Sequence, residues 1–259
     1  MLRDPGTPDG PPTQIVVLAT LGAPQRRRLA RRSREAEPEP DATPVTTTRA
    51  TVIDVGRPAE SEHESRAWLQ SAGEEAVEAA LAVLNRALHA FRVITADPYL
   101  HPVGRTQVIV ARLGYGLGEQ VADGRWTAAR ELDARQPRRS RSRVLHPQAR
   151  LAAVLGARED VLACEDLALR ARLDLDQGRG REAALQLVVA LDAALAELGA
   201  ESTHGLADRL TALRGERDAV GGAAQAALAG ALTAAQTETV AGTLDRIEAA
   251  LRARAVANA

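Results

Sequence analysis

Past residue 71 the apolar positions fall into step with a helix. Val77, Leu81, Leu84, Leu88 and Phe91 are spaced 4, 3, 4 and 3 apart, one stripe on a helix ending near Ala96. Ser71-Ala-Gly-Glu74 has the form of a capping box at its start, and Asp97-Pro98 closes it. The same period predicts a helix over Arg105–Ala122, with Val110, Leu113, Leu117 and Val121 on one face. Gly114, Gly116 and Gly118 fall inside it. Each costs about 1 kcal/mol against Ala in a helix interior, so the helix there needs a close neighbour or breaks. Trp126–Leu132 is expected as a short helix and Ala134–Arg143 as a loop. Pro147 suits a first helical turn over Pro147–Ala157. Val161–Asp176, Arg181–Leu198, Gly205–Val220 and Thr237–Ala255 follow as helices, with Gly221, Gly222 and Gly230 loosening the chain between the last two.

Before residue 58 the pattern differs. Thr46–Val55 is β-branched and roughly alternating, which predicts one strand with Gln14–Thr20 or Gln107–Val110 as its only candidate partners. Nine of the 13 Pro lie in residues 1–58. Six Arg crowd Arg26–Arg34 and four acids crowd Glu35–Asp41, too polar a run to offset its own chain entropy. The expected organisation is a disordered arm over 1–44, a helical subdomain over 45–132, an Arg-rich loop over 133–146, and an Ala/Leu-rich helical subdomain over 147–259. The fold class expected is mainly α: a bundle of short antiparallel helices and helical hairpins, with one or two short strands near the start.

Composition sharpens this. Of 259 residues, 53 are Ala and 32 are Leu, and five are aromatic: Trp68, Phe91, Tyr99, Tyr115 and Trp126. An all-β fold lacks the residues it needs here. All 33 basic residues are Arg, so chemistry that requires a lysine amine is excluded, including a P-loop or a Schiff base. A net charge of −1 gives no overall pull toward nucleic acid or an acidic membrane. One Cys, Cys164, allows no disulfide within the chain. No run approaches the apolar length of a membrane span, and Ile15–Leu21 is short with acids before it and Arg after it, unlike a secretory signal. A cytoplasmic location is expected.

Candidate chemistry is sparse. Gly114-Tyr-Gly116-Leu-Gly118 follows an apolar triplet as a phosphate loop would, but the dinucleotide fingerprint needs Gly where Glu119 stands. Glu60–His63 and Glu201–His204 have the Glu-x-x-His spacing of di-metal bundles, though neither lies on an apolar seam. Asp174-Leu-Asp176-Gln-Gly178 starts like a calcium loop, yet Arg179 and Leu185 occupy its sixth and twelfth positions. Cys164 has acidic neighbours that disfavour a thiolate. No metal and no cofactor is expected. Residues 125–150 hold eight Arg and two acids, and Arg138, Arg139, Arg141 and Arg143 form a candidate phosphate or nucleic-acid contact.

Gly124-Arg-Trp-Thr-Ala-Ala129 and Gly178-Arg-Gly-Arg-Glu-Ala183 both resemble the turn and second-helix start of a tetratricopeptide hairpin. That resemblance implies paired antiparallel helices. It does not extend to true repeats, since the two stretches lie 54 residues apart and the upstream signature is absent. The segment 67–126 resembles hypothetical proteins of high-GC bacteria such as actinobacteria, which implies no activity. The leading expectation is a non-enzymatic helical interaction or scaffold module that binds a protein partner or itself, with Tyr99, Tyr115 and Trp126 as anchors. Nucleic-acid or phosphate binding through the Arg loop is the alternative, and a carboxylate/histidine metal enzyme is the third reading.

Overall fold

A computed structural model describes residues 1–2, 10–21, 47–132, 150–200 and 206–257. The chain divides into two compact units, Met1–Gln136 and Pro137–Ala259. The division falls in the expected Arg loop, all of which lies outside the described residues, as do residues 3–9 and 22–44 of the expected arm. The chain is mainly α-helical, with two small antiparallel sheets in the first unit.

In the first unit β1 (Gln14–Leu21) pairs antiparallel with β2 (Thr47–Asp54), from Gln14 opposite Asp54 to Leu21 opposite Thr47. Thr46–Val55 is therefore a strand, and of its two candidate partners the chain uses the N-terminal one. β1 is the short N-terminal strand expected within the segment 1–44, lying at Gln14–Leu21. Ile15, Val16 and Val17 supply the branched side chains that a half-buried strand favours.

α1 (Glu62–Ser71) starts on Ser61, whose hydroxyl accepts the Glu64 N–H at 3.2 Å, while the Glu64 carboxylate accepts the Glu60 N–H at 2.8 Å. The serine cap thus belongs to this helix. Ser71 instead closes α1, donating its hydroxyl to the Trp68 carbonyl, and α2 (Glu74–Thr95) starts at Gly73 without a side-chain cap. Ala96 ends α2 in the left-handed region at φ 52°. The apolar stripe of α2 is as expected, with Val77 and Leu84 buried. Asn85, also buried, was not expected. Its amide donates to the Val103 carbonyl at 3.0 Å and accepts the Val103 N–H at 2.7 Å, tying the returning chain to the helix. A buried amide is tolerated because both its functions are satisfied.

The two helices expected over Arg105–Ala122 and Trp126–Leu132 do not form. In their place β3 (Ala111–Tyr115) pairs antiparallel with β4 (Ala128–Leu132), and single 3₁₀ turns occupy Arg105–Gln107 and Gly118–Val121. Gly114 shows why. A Cβ there would lie 2.7 Å from the Ala128 carbonyl oxygen and 2.9 Å from the Ala129 Cβ, so the glycine permits close strand approach. Gly124, at φ 79°, closes the second 3₁₀ turn and leads into a strand, so the tetratricopeptide-like reading fails at this stretch. Leu69, Val77, Ala111 and Leu113 form the small core where α1 and α2 meet the hairpin.

The second unit is all helical among its described residues. Residues 150–155 are helical (α3), followed by α4 (Ala163–Asp176), α5 (Gly180–Glu197), α6 (Ala207–Gly215), α7 (Arg217–Ala229) and α8 (Ala234–Ala257). Gly178, at φ 71°, turns α4 back along α5, and the helical-hairpin reading holds here. Ala168, Ala171, Ala183 and Ala184 are buried, and such small residues let the two helices lie close. Leu187, Leu191, Leu213, Val240, Leu244 and Ile247 fill the centre. Each such side chain contributes about 1.5–3 kcal/mol on burial.

The helix expected over Gly205–Val220 breaks at Gly215, and α7 then runs straight through Gly221 and Gly222. Both glycines face open space, and the buried Val220, Ala223, Ala224 and Ala227 hold the helix around them. By length and composition Gly180–Ala200 is apolar enough to cross a membrane, contrary to expectation. In the structure this segment buries one face in the helical core.

Candidate functional site

Of the three aromatic anchors, two lie together. Tyr115 ends β3 opposite Ala128, half-buried against the small core of the first unit. The Thr127 N–H donates to the Tyr115 carbonyl at 2.9 Å, and the half-buried Trp126 lays its ring edge over Gly114. A ring covering a glycine on the neighbouring strand is a sheet-stabilising device, so both residues act in holding the hairpin. Arg66 on α1 donates to Glu62 at 2.8 Å, and the neighbouring Tyr115 and Glu62 hold its guanidinium above its ordinary pKa.

Tyr99 differs. It sits in the turn after α2, with its N–H on the Asp97 carboxylate at 2.9 Å, and its side chain is 84% exposed. The last turns of α2 are exposed with it. Phe91 is 57% and Ile94 82% exposed, and Val93 is exposed as well. Phe91 continues the stripe that buries Val77 and Leu84, so the apolar face of α2 outruns the structure that covers it. His89 and Arg92 lie on the same stretch, and one acid, Asp97, follows. Sequence periodicity placed Phe91 on the apolar stripe; in the structure it is exposed.

The second unit holds an ionic cluster that sequence reasoning missed. Arg150 on α3 donates to Glu159 at 2.7 Å and to both oxygens of Glu165 at 2.7 and 2.8 Å. These bonds, with Glu165 the stronger, raise the Arg150 pKa despite partial burial. Arg254 of α8 is buried with its guanidinium 3.7 Å from Glu159 and 4.0 Å from Glu165. Beside them Glu197, in the last turn of α5, accepts the N–H groups of Ala163 and Cys164 at 3.1 and 2.9 Å. It thereby caps α4 from a neighbouring helix, because Leu162 at the N-cap position has no side-chain oxygen.

Cys164 is fully buried, and burial, then its hydrogen bond to Glu197, pushes its thiol up to about 12. Such a thiol stays protonated and is a poor nucleophile. Every carboxylate in this cluster is occupied by an Arg or a backbone N–H, which is the arrangement of a clasp between helices.

The remaining sequence candidates separate. Glu60 and His63 lie exposed at the start of α1, while Glu201 and His204 lie outside the described residues. Among the described residues no group of three His, Cys, Asp or Glu converges as a metal site would require. Asp174 is taken by Arg179 at 2.7 Å and by Gln186 at 3.1 Å. The Gly114–Gly118 run is strand and turn, and no α-helix N-terminus follows it to receive a phosphate. Arg138, Arg139, Arg141 and Arg143 lie outside the described residues. Between α5 and α7 an open groove of about 310 Å³ is lined by Val188, Leu191 and Val220, with Asp192, Arg217 and Asp218 at its polar side. Arg217 bonds Asp192 across it at 3.0 Å. No family model, no curated protein and no solved structure matches the chain.

Proposed function

We propose that this protein is a non-enzymatic helical interaction module and that the C-terminal end of α2, with the turn behind it, is its contact surface. The observation that carries the reading is the exposure of Phe91, Ile94 and Tyr99 in a chain with five aromatic residues. Aromatic anchors dominate binding energy at interfaces, and of the three exposed aromatics, Trp68, Phe91 and Tyr99, the two most exposed stand together at the end of α2. His89 and Arg92 flank them, so the partner surface that fits is an apolar groove with an acidic rim. Of the original anchors Tyr99 stays in this role, and Tyr115 and Trp126 serve the hairpin.

The test compares the full chain with a Phe91→Ser/Ile94→Ser/Tyr99→Ser variant as bait in the native host, after confirming equal helicity by circular dichroism. A partner held by the parent and lost from the variant supports the reading. Identical captured sets overturn it. Binding of nucleic acid through Arg138, Arg139, Arg141 and Arg143 remains the second reading, favoured by the local balance of eight Arg to two acids over residues 125–150. A gel shift that weakens with salt and is lost on Arg→Ala at these four positions tests it.

A further inference from the structure

The end of α2 fits an apolar groove with an acidic rim, and the second unit has such a groove. Val188, Leu191 and Val220 line an open space of about 310 Å³ between α5 and α7. It stands at the small end of binding sites, about 300–1,000 Å³, with room for a pair of inserted side chains. At its polar side Arg217 donates to Asp192 at 3.0 Å, so these two charges answer each other. Asp218 is exposed beside them and, among the described residues, has no ion-pair partner. The groove therefore sets one uncompensated negative charge over an apolar floor. Gly221 follows Arg217 by one turn of α7, and a Cβ there would meet nothing within 4 Å. The wall on that side is low enough for the backbone of another helix to come near.

The end of α2 is the complement of this groove. Phe91 and Ile94 stand one turn apart on the same side of the helix, both exposed. Arg92 lies beside them, exposed, and among the described residues it too has no ion-pair partner. Asp97, the acid that follows, is engaged by the Tyr99 N–H at 2.9 Å. One surface thus offers two apolar knobs and a free cation, and the other an apolar recess and a free anion.

We infer that the end of α2 of one copy of the chain docks into the α5/α7 groove of a second copy, with Phe91 and Ile94 over Val188, Leu191 and Val220 and with Arg92 beside Asp218. The inference rests on the reading of the α2 end as a contact surface, and it names the partner. Charge and shape choose the occupant. The unpaired charge of the groove is opposite in sign to the one on α2, the recess has room for the two knobs, and every copy of the chain supplies both surfaces. The contact is heterologous, because knob and groove are different patches. Each pair of copies leaves one knob and one groove unused, so copies add in series and either close into a ring or run on. A contact built on so few side chains is weak and reversible.

The experiment is sedimentation velocity on the full chain over about 1–300 µM, the range in which weak protein contacts form and dissociate. The sedimentation coefficient of the parent should rise with concentration. The Phe91→Ser/Ile94→Ser/Tyr99→Ser variant lacks the knob and keeps the groove, while Asp218→Arg repels Arg92 and keeps the knob. All four side chains are exposed, so both variants should keep the helicity of the parent in circular dichroism. Each alone should associate about tenfold or more weakly than the parent. Mixed in equal amounts they should pair, since an intact knob then meets an intact groove. Arg92→Asp combined with Asp218→Arg in one chain should recover the association that either change alone loses. A parent that stays monomeric throughout the range overturns the inference. So does association that Asp218→Arg leaves intact, or a mixture that stays as weak as its components. A monomeric parent whose host partner is still lost from the Phe91/Ile94/Tyr99 variant overturns the second copy alone and leaves the contact surface standing.

Discussion

Glu197 provides the sharpest test of how the second unit is held together. Replacing it with Ala removes the acceptor for the Ala163 and Cys164 N–H groups, at 3.1 and 2.9 Å, and leaves the start of α4 with only the Glu165 carboxylate, on the Leu162 N–H at 3.1 Å. Loss of a capping oxygen costs about 1 kcal/mol, and loss of a carboxylate at a helix N-terminus costs roughly 0.3–1 kcal/mol more. Cys164 also loses the partner of its thiol. The sum is about 2 kcal/mol, which in a unit of this size lowers the melting midpoint by roughly 6–10 °C.

The pH dependence has a definite sign. Burial pushes the Glu197 pKa up, but the Cys164 backbone and thiol, the Ala163 N–H and Arg254 together pull it below its ordinary 4.5. A folded value below the unfolded one stabilises the protein fully above the unfolded value, and that stability is lost as the pH falls through the folded value. Urea unfolding of the parent and the Glu197→Ala variant should therefore show the full gap near neutrality and a shrinking gap below about pH 4. A variant that melts within a degree or so of the parent would refute the clasp. A gap that persists undiminished in acid would show that lost packing, and not the charged cap, caused it.

Three further outcomes follow from the same geometry. Cys164, with its thiol at about 12 and no exposure, should react with a thiol reagent at pH 8 more than about 100-fold slower than a free cysteine, and at the ordinary rate once urea unfolds the unit. Gly114→Ala drives a Cβ into the Ala128 carbonyl and the Ala129 side chain, so it should destabilise the first unit by about 1–3 kcal/mol and change the near-ultraviolet signal of Trp126. Arg150→Met leaves Glu159 and Glu165 facing each other with Arg254 as the remaining cation; the side chain is a third exposed, which softens the effect, and a loss of about 1–2 kcal/mol in urea unfolding is expected, smaller in high salt.

The helices of the second unit were legible because their stability comes from a local pattern. A Leu or Val every three or four residues buries one face whatever the neighbours are, and α4, α5 and α8 lie where that period places them. The region 105–132 was misread because its pattern satisfies two periods at once. Val110, Leu113, Leu117 and Val121 fit a helix, while Ala111, Leu113 and Tyr115 alternate as a strand; the structure packs all three of the second set against the small core and leaves Val110 and Leu117 exposed. The glycines carried the deciding signal. Gly114 is a burden in a helix and a necessity where Ala128 approaches, so three glycines in five residues weighed against the helical period.

No local signal marks β4, whose Ala-Ala-Arg-Glu-Leu favours a helix; it is a strand because β3 pairs with it and because Arg130 reaches the carbonyls of Leu69 and Ala72 at the end of α1. The clasp was hidden for a related reason. Arg150, Glu165, Glu197 and Arg254 are spread over a hundred residues, and each looks like an ordinary surface charge until the helices bring them together. The exposed end of α2 is the converse case: Phe91 belongs to the apolar stripe that buries Val77 and Leu84, yet it is 57% exposed. Among the described residues the fold leaves Phe91, Ile94 and Tyr99 uncovered at the end of α2, and the proposed function rests on that exposure.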